Sequence, residues 1–287
     1  MLEIKDLKKK LGALELNMSL EIPEGYICGL IGRNGSGKTS LLNLITGLMS
    51  PDEGKVVIDG LEYDKDNKGI YSRIALVSED GLLDGYCTAK ENGLLYGRYY
   101  AGFNMTSFLC LLNKYRVNPN IAIDKLSRGE KLKVQFAFAI STRPKYLILD
   151  EPTANFDPEF KKAFHEEINK LMSDGKHTVI FATHITSEID RLGDYLLFIH
   201  EGKKVFMGDL ESFRDKYKLA VGEEFYIDRL TKEALLSKEV NNYSTRAMFD
   251  MDLINKDLDE RYMNHLEFSP ATIEDFMYFY TIVSTDV

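Results

Sequence analysis

Over the first two hundred residues, short apolar runs alternate with stretches of helical periodicity. This alternation predicts a mainly parallel sheet flanked by helices. Tyr26 to Ile31 reads as a buried strand, ended by the glycine-rich stretch Gly32 to Gly37. Ser40 to Ile45 then begins a helix that Gly47 closes, because glycine readily takes the left-handed turn after a helix. Ser50-Pro51-Asp52-Glu53-Gly54 is a turn by composition, with a strand from Lys55 to Asp59 behind it. Ile74 to Ser78, Tyr146 to Asp150, His177 to Thr183 and Tyr195 to His200 read as further apolar strands. Glu201-Gly202-Lys203 is a hairpin turn into Lys204 to Met207. Thr88 to Tyr115, rich in Leu, Tyr and Phe with few breakers, predicts a helical subdomain.

Charge divides the chain more sharply than hydropathy does. The net charge of −9 comes from 36 basic and 45 acidic residues, which makes non-specific nucleic-acid binding a poor expectation. Residues 209–287 hold 17 acids and 9 bases, a balance of −8, so the first 208 residues are nearly neutral. That shift marks a change of character near Gly208-Asp209. The acidic tail contains Phe213, Tyr217, Phe225, Tyr226, Ile227, Leu230, Phe249, Phe268 and Phe276, too many large apolar groups for a disordered segment. Leu210 to Tyr217 predicts a helix, and a second begins after Thr272, a suitable N-cap with Glu274 and Asp275 in the first turn. The acids on this second helix argue for packing on the chain's own body rather than on lipid. No apolar run reaches the roughly 18 residues of a membrane span, and the acidic start does not read as a signal peptide. Three scattered cysteines, Cys28, Cys87 and Cys110, point to a reducing compartment rather than a disulfide scaffold.

The glycine-rich stretch carries the first chemistry. Gly32-Arg33-Asn34-Gly35-Ser36-Gly37-Lys38-Thr39 fits the pattern of a P-loop, between an apolar strand and a helix that continues through Ser40. Its glycines let successive backbone N–H groups converge on phosphates, and the helix adds the positive end of its dipole. Lys38 would reach the β- and γ-phosphates, and the Thr39 hydroxyl would ligate Mg²⁺. Leu147-Ile148-Leu149-Asp150-Glu151 is an apolar strand ending in two acids. There Asp150 can hold the magnesium shell while Glu151 activates the attacking water. His184 follows the strand Thr178 to Ala182, on the same sheet edge as Asp150. His165, His177, His200 and His265 have no such setting, and the absence of His/Cys clusters speaks against a transition metal.

Leu126-Ser127-Arg128-Gly129-Glu130, Asp150-Glu151-Pro152-Thr153, Asn155-Phe156-Asp157 and Phe181-Ala182-Thr183-His184 follow the P-loop in that order. Together they resemble the signature motif, Walker B, D-loop and switch histidine of an ABC-type ATP-binding subunit, most closely those of bacterial antibiotic and peptide exporters. The resemblance implies an α/β fold: a P-loop NTPase core with a parallel-rich sheet and flanking helices, an antiparallel β subdomain, and a helical signature subdomain at about 82–142. It assigns residues 1–217 to the cassette and 218–287 to a small C-terminal extension. It also implies ATP and Mg²⁺ as ligands, and catalytic roles for Glu151, His184 and Lys38. Ser127 and Gly129, at a helix N-terminus, would meet the γ-phosphate held by a second ATP-binding subunit, so that ATP joins a homodimer or heterodimer.

Three positions depart from the family pattern. Leu11 stands where an aromatic usually stacks on adenine, which predicts loose base recognition. Glu79 stands for the Q-loop glutamine, as a magnesium ligand or a contact of the membrane subunit. Glu130 ends the signature where glutamine is usual. The resemblance implies an ATPase on the cytoplasmic face of the cell membrane, peripheral to a multi-span membrane subunit that exports a peptide, antibiotic or similar amphipathic compound. A soluble ABC ATPase acting on nucleic acid or ribosomes is the rival. Repair members carry a long coiled coil between P-loop and signature, and translation factors carry two cassettes. Here only 88 positions lead from Lys38 to Leu126, and there is one cassette.

Overall fold

In the computed structural model, which describes residues 1–78, 81–153, 156–241 and 243–282, the chain divides into two units, residues 1–207 and 208–287. The first opens on β1 (Leu2–Leu11) and β2 (Leu14–Ile22), an antiparallel pair. In β2 the apolar Leu16, Met18, Leu20 and Ile22 point inward and Glu15, Asn17, Ser19 and Glu21 outward, the alternation of a strand with one wet face. Strand β3 (Ile27–Ile31) is buried throughout and leads to α1 (Lys38–Ile45). Next come β4 (Glu53–Ile58), β5 (Leu61–Glu62), α2 (Asn67–Tyr71) and β6 (Ile74–Val77). The helical stretch follows as α3 (Ala89–Gly97), α4 (Met105–Lys114) and α5 (Arg128–Ser141). Thr88 caps α3 in a reciprocal box with Glu91. Gly102 sits between α3 and α4 because a Cβ there would lie 2.3 Å from the carbonyl oxygen of Thr142. The unit continues with β7 (Tyr146–Asp150), α6 (Pro158–Met172), β8 (Thr178–Ala182), α7 (Thr186–Leu192), β9 (Tyr195–His200) and β10 (Lys203–Asp209).

Ten strands form one sheet in the order β5-β4-β1-β2-β10-β9-β3-β8-β7-β6. Strands β9, β3, β8, β7 and β6 pair in parallel, whereas β2, β1, β4 and β5 pair antiparallel. Strands β3, β7 and β8 are buried at every position, as expected of parallel strands covered on both faces. A single apolar core joins the two parts of the sheet: Leu2, Ile4 and Leu16 from the antiparallel part meet Leu41 and Ile45 of α1 and Ile148 and Ile180 of the parallel strands. In register, Ala182 of β8 stands opposite both Leu30 of β3 and Asp150 of β7. The residues that leave these three strands therefore emerge along one edge.

The second unit contains α8 (Leu210–Lys216), β11 (Tyr217–Gly222), α9 (Glu224–Ile227), β12 (Leu235–Val240), β13 (Thr245–Asp250), α10 (Lys256–Met263), β14 (Glu267–Pro270) and α11 (Ile273–Ile282). Its antiparallel sheet has the order β12-β13-β11-β14, with α9 between β11 and β12 and α10 between β13 and β14. This is a split β-α-β arrangement. One face packs Ala220, Ala247 and Phe249 against Ile227 and Leu230. On the other, Phe276 of α11 meets Tyr217 and Phe213, the last from α8, with ring centroids 4.4 and 5.2 Å away. Helix α8 therefore belongs with the tail, and the division between units falls ten residues before the boundary expected at 217. Much of the tail's acidity is paired: Lys238 bridges Glu224 and Asp228, both at 2.6 Å, and Arg246 reaches Asp275 at 2.9 Å. Thr272 caps α11 by accepting from the Asp275 N–H at 3.0 Å.

A charge cluster ties the first unit together. Asp59, just after β4, accepts from Lys145 at 2.6 Å and from the Tyr146 hydroxyl at 2.7 Å, and pairs with Arg73 at 3.2 Å. Burial raises the Asp59 pKa, but hydrogen bonds from Lys145, the Met1 amine and Tyr146 outweigh it and hold the group at about 2. A carboxylate so depressed contributes stability that is present above its unfolded value and lost as pH falls through the folded one. Asp59→Asn should therefore lower stability by about 1–2 kcal/mol at neutral pH. In denaturant titrations the gap from wild type should narrow as pH falls below about 4; a gap that stays constant with pH contradicts this account.

Candidate active site

The loop between β3 and α1 is shaped for an anion. Gly37 has φ 105°, in the left-handed region, and a Cβ there would lie 2.5 Å from Cδ2 of Leu16. At Gly32 a Cβ would lie 2.4 Å from the Ile199 carbonyl oxygen and 2.5 Å from Ser36 Oγ. No side chain caps α1, so no side chain competes for the N–H groups of its first turn. Arg33, Asn34, Gly35 and Thr39 are exposed and Ser40 half-buried, while Gly32, Ser36, Gly37 and Lys38 are buried. The Ser36 hydroxyl is buried with no hydrogen-bond partner among the described residues, a donor of the kind a phosphate oxygen satisfies.

Lys38 turns its ammonium back over the loop, donating to the Gly32 carbonyl at 2.8 Å and lying 3.7 Å from Glu151 Oε1. Burial lowers its pKa, while Glu151 and Asp150 oppose that shift. The register described above explains why this lysine and these two acids meet: they leave β3 and β7 on the same edge. Glu151 itself takes a left-handed backbone, φ 47°, and its N–H donates to the Ala182 carbonyl at 2.9 Å. Such a conformation costs of order 1–3 kcal/mol in a non-glycine residue. It aims the carboxylate sideways at His184, whose Nδ1 lies 2.7 Å from Glu151 Oε2 and whose N–H donates to the same oxygen at 3.3 Å. Lys38, Glu151 and His184 thus form one connected group, with Asp150 directly before Glu151.

Thr39 offers a hydroxyl and Asp150 a carboxylate, both hard oxygen donors suited to Mg²⁺. No group of three or more His, Cys, Asp or Glu among the described residues could hold a metal alone. That donor set fits a cation that takes its remaining ligands from phosphate and water. Glu79, the Q-loop position, lies outside the described residues, as do Ala154 and Asn155. Leu11 ends β1 directly opposite Leu14 across the Gly12-Ala13 turn. Both are half-buried against the core, and Leu14 Cδ2 lies 3.4 Å from where a Gly37 Cβ would be. The hairpin that carries Leu11 therefore abuts the phosphate loop through Leu14 and Leu16.

Ser127 and Gly129 are not brought into this group. Ser127 is the exposed N-cap of α5, in a reciprocal box with Glu130: its hydroxyl donates to the Glu130 carboxylate at 2.7 Å, and that carboxylate also accepts from the Ser127 N–H at 2.9 Å. These hydrogen bonds hold the Glu130 pKa below the usual carboxylate value. Two contacts escape sequence reading. Gln135, buried on α5, takes the Ser78 N–H at 3.4 Å, immediately before residue 79. Glu188, buried on α7, accepts the hydroxyl of Thr153, two residues after Glu151. Neither Gln135 nor Glu188 lies in a motif, so no local signal marks them.

Comparison with known proteins agrees with this geometry. The ABC transporter family model matches residues 16–154. The chain is 33% identical over 213 residues to the ABC transporter ATP-binding protein NatA of Bacillus subtilis, covering 71% of this chain and 85% of that protein. It is 33% identical over 208 residues to the lantibiotic transport ATP-binding protein SrtF of Streptococcus pyogenes, covering 71% and 88%. With the Nod factor export ATP-binding protein I of Burkholderia lata it shares 31% identity over 214 residues, covering 72% and 70%. Among solved structures, an ATP-binding subunit of an ABC transporter superposes with a TM-score of 0.68 at 27% identity, over 75% of this chain and 92% of that one. A dimeric ATP-binding cassette in a post-hydrolysis state, bound to ADP and Pi, superposes with a TM-score of 0.64 at 26% identity, over 73% and 99%. With a phosphate loop, a paired carboxylate and histidine at one sheet edge, and these relatives, the chain belongs to the ATP-binding subunits of ABC transporters and is an ATPase of that family.

Proposed function

We propose that this ATPase drives export of a peptide, antibiotic or similar amphipathic compound, working as a dimer beneath a separate multi-span membrane subunit. The names of the lantibiotic and Nod factor relatives support the direction and the cargo class. Among the described residues no helix is long and apolar enough to cross a membrane. On this reading the cargo path belongs to the partner, and the chain sits on the cytoplasmic face of the membrane. A groove of 720 Å³ between α2, α3 and α5, lined by Tyr71, Leu82, Tyr96, Tyr99, Arg98 and Lys68, supports the docking of a partner helix. Tyr99 on this groove is 65% exposed, and Leu82 51%. The two cations on its rim fit an apolar helix that carries a carboxylate.

The observation that carries the enzymatic reading is the connected group Lys38–Glu151–His184. The P-loop N–H groups, Ser36 and Lys38 hold the phosphates, and Thr39 and Asp150 hold Mg²⁺, which neutralises phosphate charge when bound. Glu151 takes the proton of a water that attacks the γ-phosphorus. The bond to the β-γ bridging oxygen breaks, its electron pair leaves with ADP, and phosphate is released. His184, hydrogen-bonded to Glu151, orients that carboxylate and reaches the γ-phosphate. Ser127 and Gly129 of a second cassette complete the phosphate shell.

Glu151→Gln should lower kcat by ~10²–10⁴-fold while leaving Mg-ATP binding intact, and gel filtration with ATP should show a dimer. Hydrolysis within about threefold of wild type removes Glu151 from the role of base. A tagged chain purified from native membranes should bring down a multi-span membrane protein, and its consistent absence contradicts the transport reading. With Leu11 and Leu14 as an aliphatic platform, the base loses aromatic stacking worth roughly 1–3 kcal/mol in nucleic-acid binders. GTP should therefore compete with ATP within about tenfold, and Leu11→Tyr should tighten ATP. A preference for ATP above about a hundredfold in titration rules this platform out.

A further inference from the structure

Glu188 is a carboxylate that the hydrolytic scheme does not use. It lies in the first turn of α7 and is 6% exposed. A buried carboxylate is costly unless paired, so its partners identify what it does. One oxygen accepts the hydroxyl of Thr153, which is itself fully buried. The other lies 3.4 Å from Lys161 on α6. Thr153 stands two residues beyond Glu151, and Glu188 four residues beyond His184. The two segments are thus joined twice, through Glu151–His184 at the exposed front and through Thr153–Glu188 in the buried rear.

The two joints are physically unequal. His184 is 51% exposed on its side chain, so its bond to Glu151 is made in competition with water. Support at the start of α7 is local: the Ile185 side chain makes no cap bond, and the Ile185 N–H donates to Thr183 Oγ1 at 3.0 Å, two residues back. Glu151 meanwhile holds a strained left-handed backbone, which persists only where its surroundings over-determine it. On the chain before it, its N–H is fixed to Ala182. On the chain after it, the first side-chain tie is Thr153 to Glu188.

We propose that Glu188 is a positioning residue for ATP hydrolysis: by fastening α7 to the loop behind Glu151, it sets the distance at which His184 meets Glu151. This inference rests on the roles given above to those two residues. Lys161 lies 3.4 Å from the other Glu188 oxygen, so the carboxylate is anchored on both sides and its bond to Thr153 is held in one orientation.

The test compares Thr153→Val, Glu188→Gln and Glu188→Leu in the full chain, measuring kcat, KM, nucleotide affinity and melting temperature. A small displacement of a catalytic group costs up to about 10²-fold. Thr153→Val and Glu188→Leu should lower kcat by about 10- to 100-fold, with KM and nucleotide affinity unchanged within about twofold. Glu188→Gln, which keeps an acceptor for Thr153, should recover much of the loss. A structural brace with no bearing on His184 predicts something different. Its effect would multiply with that of His184→Ala, because independent perturbations add as free energies. The proposal predicts that Thr153→Val adds no further loss in the His184→Ala background. A fully additive loss there overturns it, as does a Thr153→Val kcat within about twofold of wild type when His184→Ala is itself damaging. If Glu188→Leu fails to fold, the near-isosteric Thr153→Val carries the comparison. An unaffected His184→Ala would instead overturn the role of His184, and with it the route by which Glu188 acts.

Discussion

The site exists because three parallel strands end level. With Ala182 opposite both Leu30 and Asp150, the chain leaves β3, β7 and β8 along one edge, and Lys38 is delivered there to Glu151 and His184 from more than a hundred residues away. Strands buried on both faces hold this register firmly, since a slip of one residue would reverse which side chains face each layer of helices. The catalytic geometry is therefore inherited from backbone pairing in an apolar interior. The polar residues contribute the last few ångströms, through the left-handed backbone of Glu151 and the close approach around Gly32.

What was legible in the sequence is what is local. The apolar runs at Tyr146 to Asp150 and Thr178 to Ala182 match β7 and β8, because burial on both faces leaves a continuous hydrophobic signal. Thr272 caps α11 as its side chain and the acids after it imply. Strands β1 and β2 went unassigned although β2 alternates cleanly from Leu16 to Ile22: its partner β1 loses its period at a register shift after Ile4 and in the run Lys8-Lys9-Lys10. The tail sheet escaped because β12 and β13 are six residues each and neither shows a clean period of two. Thr153–Glu188 and Ser78–Gln135 join residues 35 and 57 positions apart, and no periodicity encodes such meetings.

Glu130 shows how one substitution can satisfy a local rule and alter a distant one. As the third residue of α5 it completes a capping box with Ser127, for which glutamine and glutamate are equally suited. Yet only glutamate leaves a full negative charge on the hydroxyl that the family presents to phosphate. Helix stability gains from the change, since an acid suits the first turn, while an incoming anion meets an added negative charge. The same separation of scales applies to Leu11, whose half-buried side chain packs on the core whatever it offers a base.

In this structure Lys38 and Glu151 are each other's counterions, 3.7 Å apart with the lysine sealed from solvent. A triphosphate entering the loop brings a denser negative charge to that same ammonium. Anion would replace anion there, leaving His184 as the remaining partner of the carboxylate. On the role of base proposed for Glu151, filling the loop and freeing that carboxylate are then a single exchange of charge rather than two events.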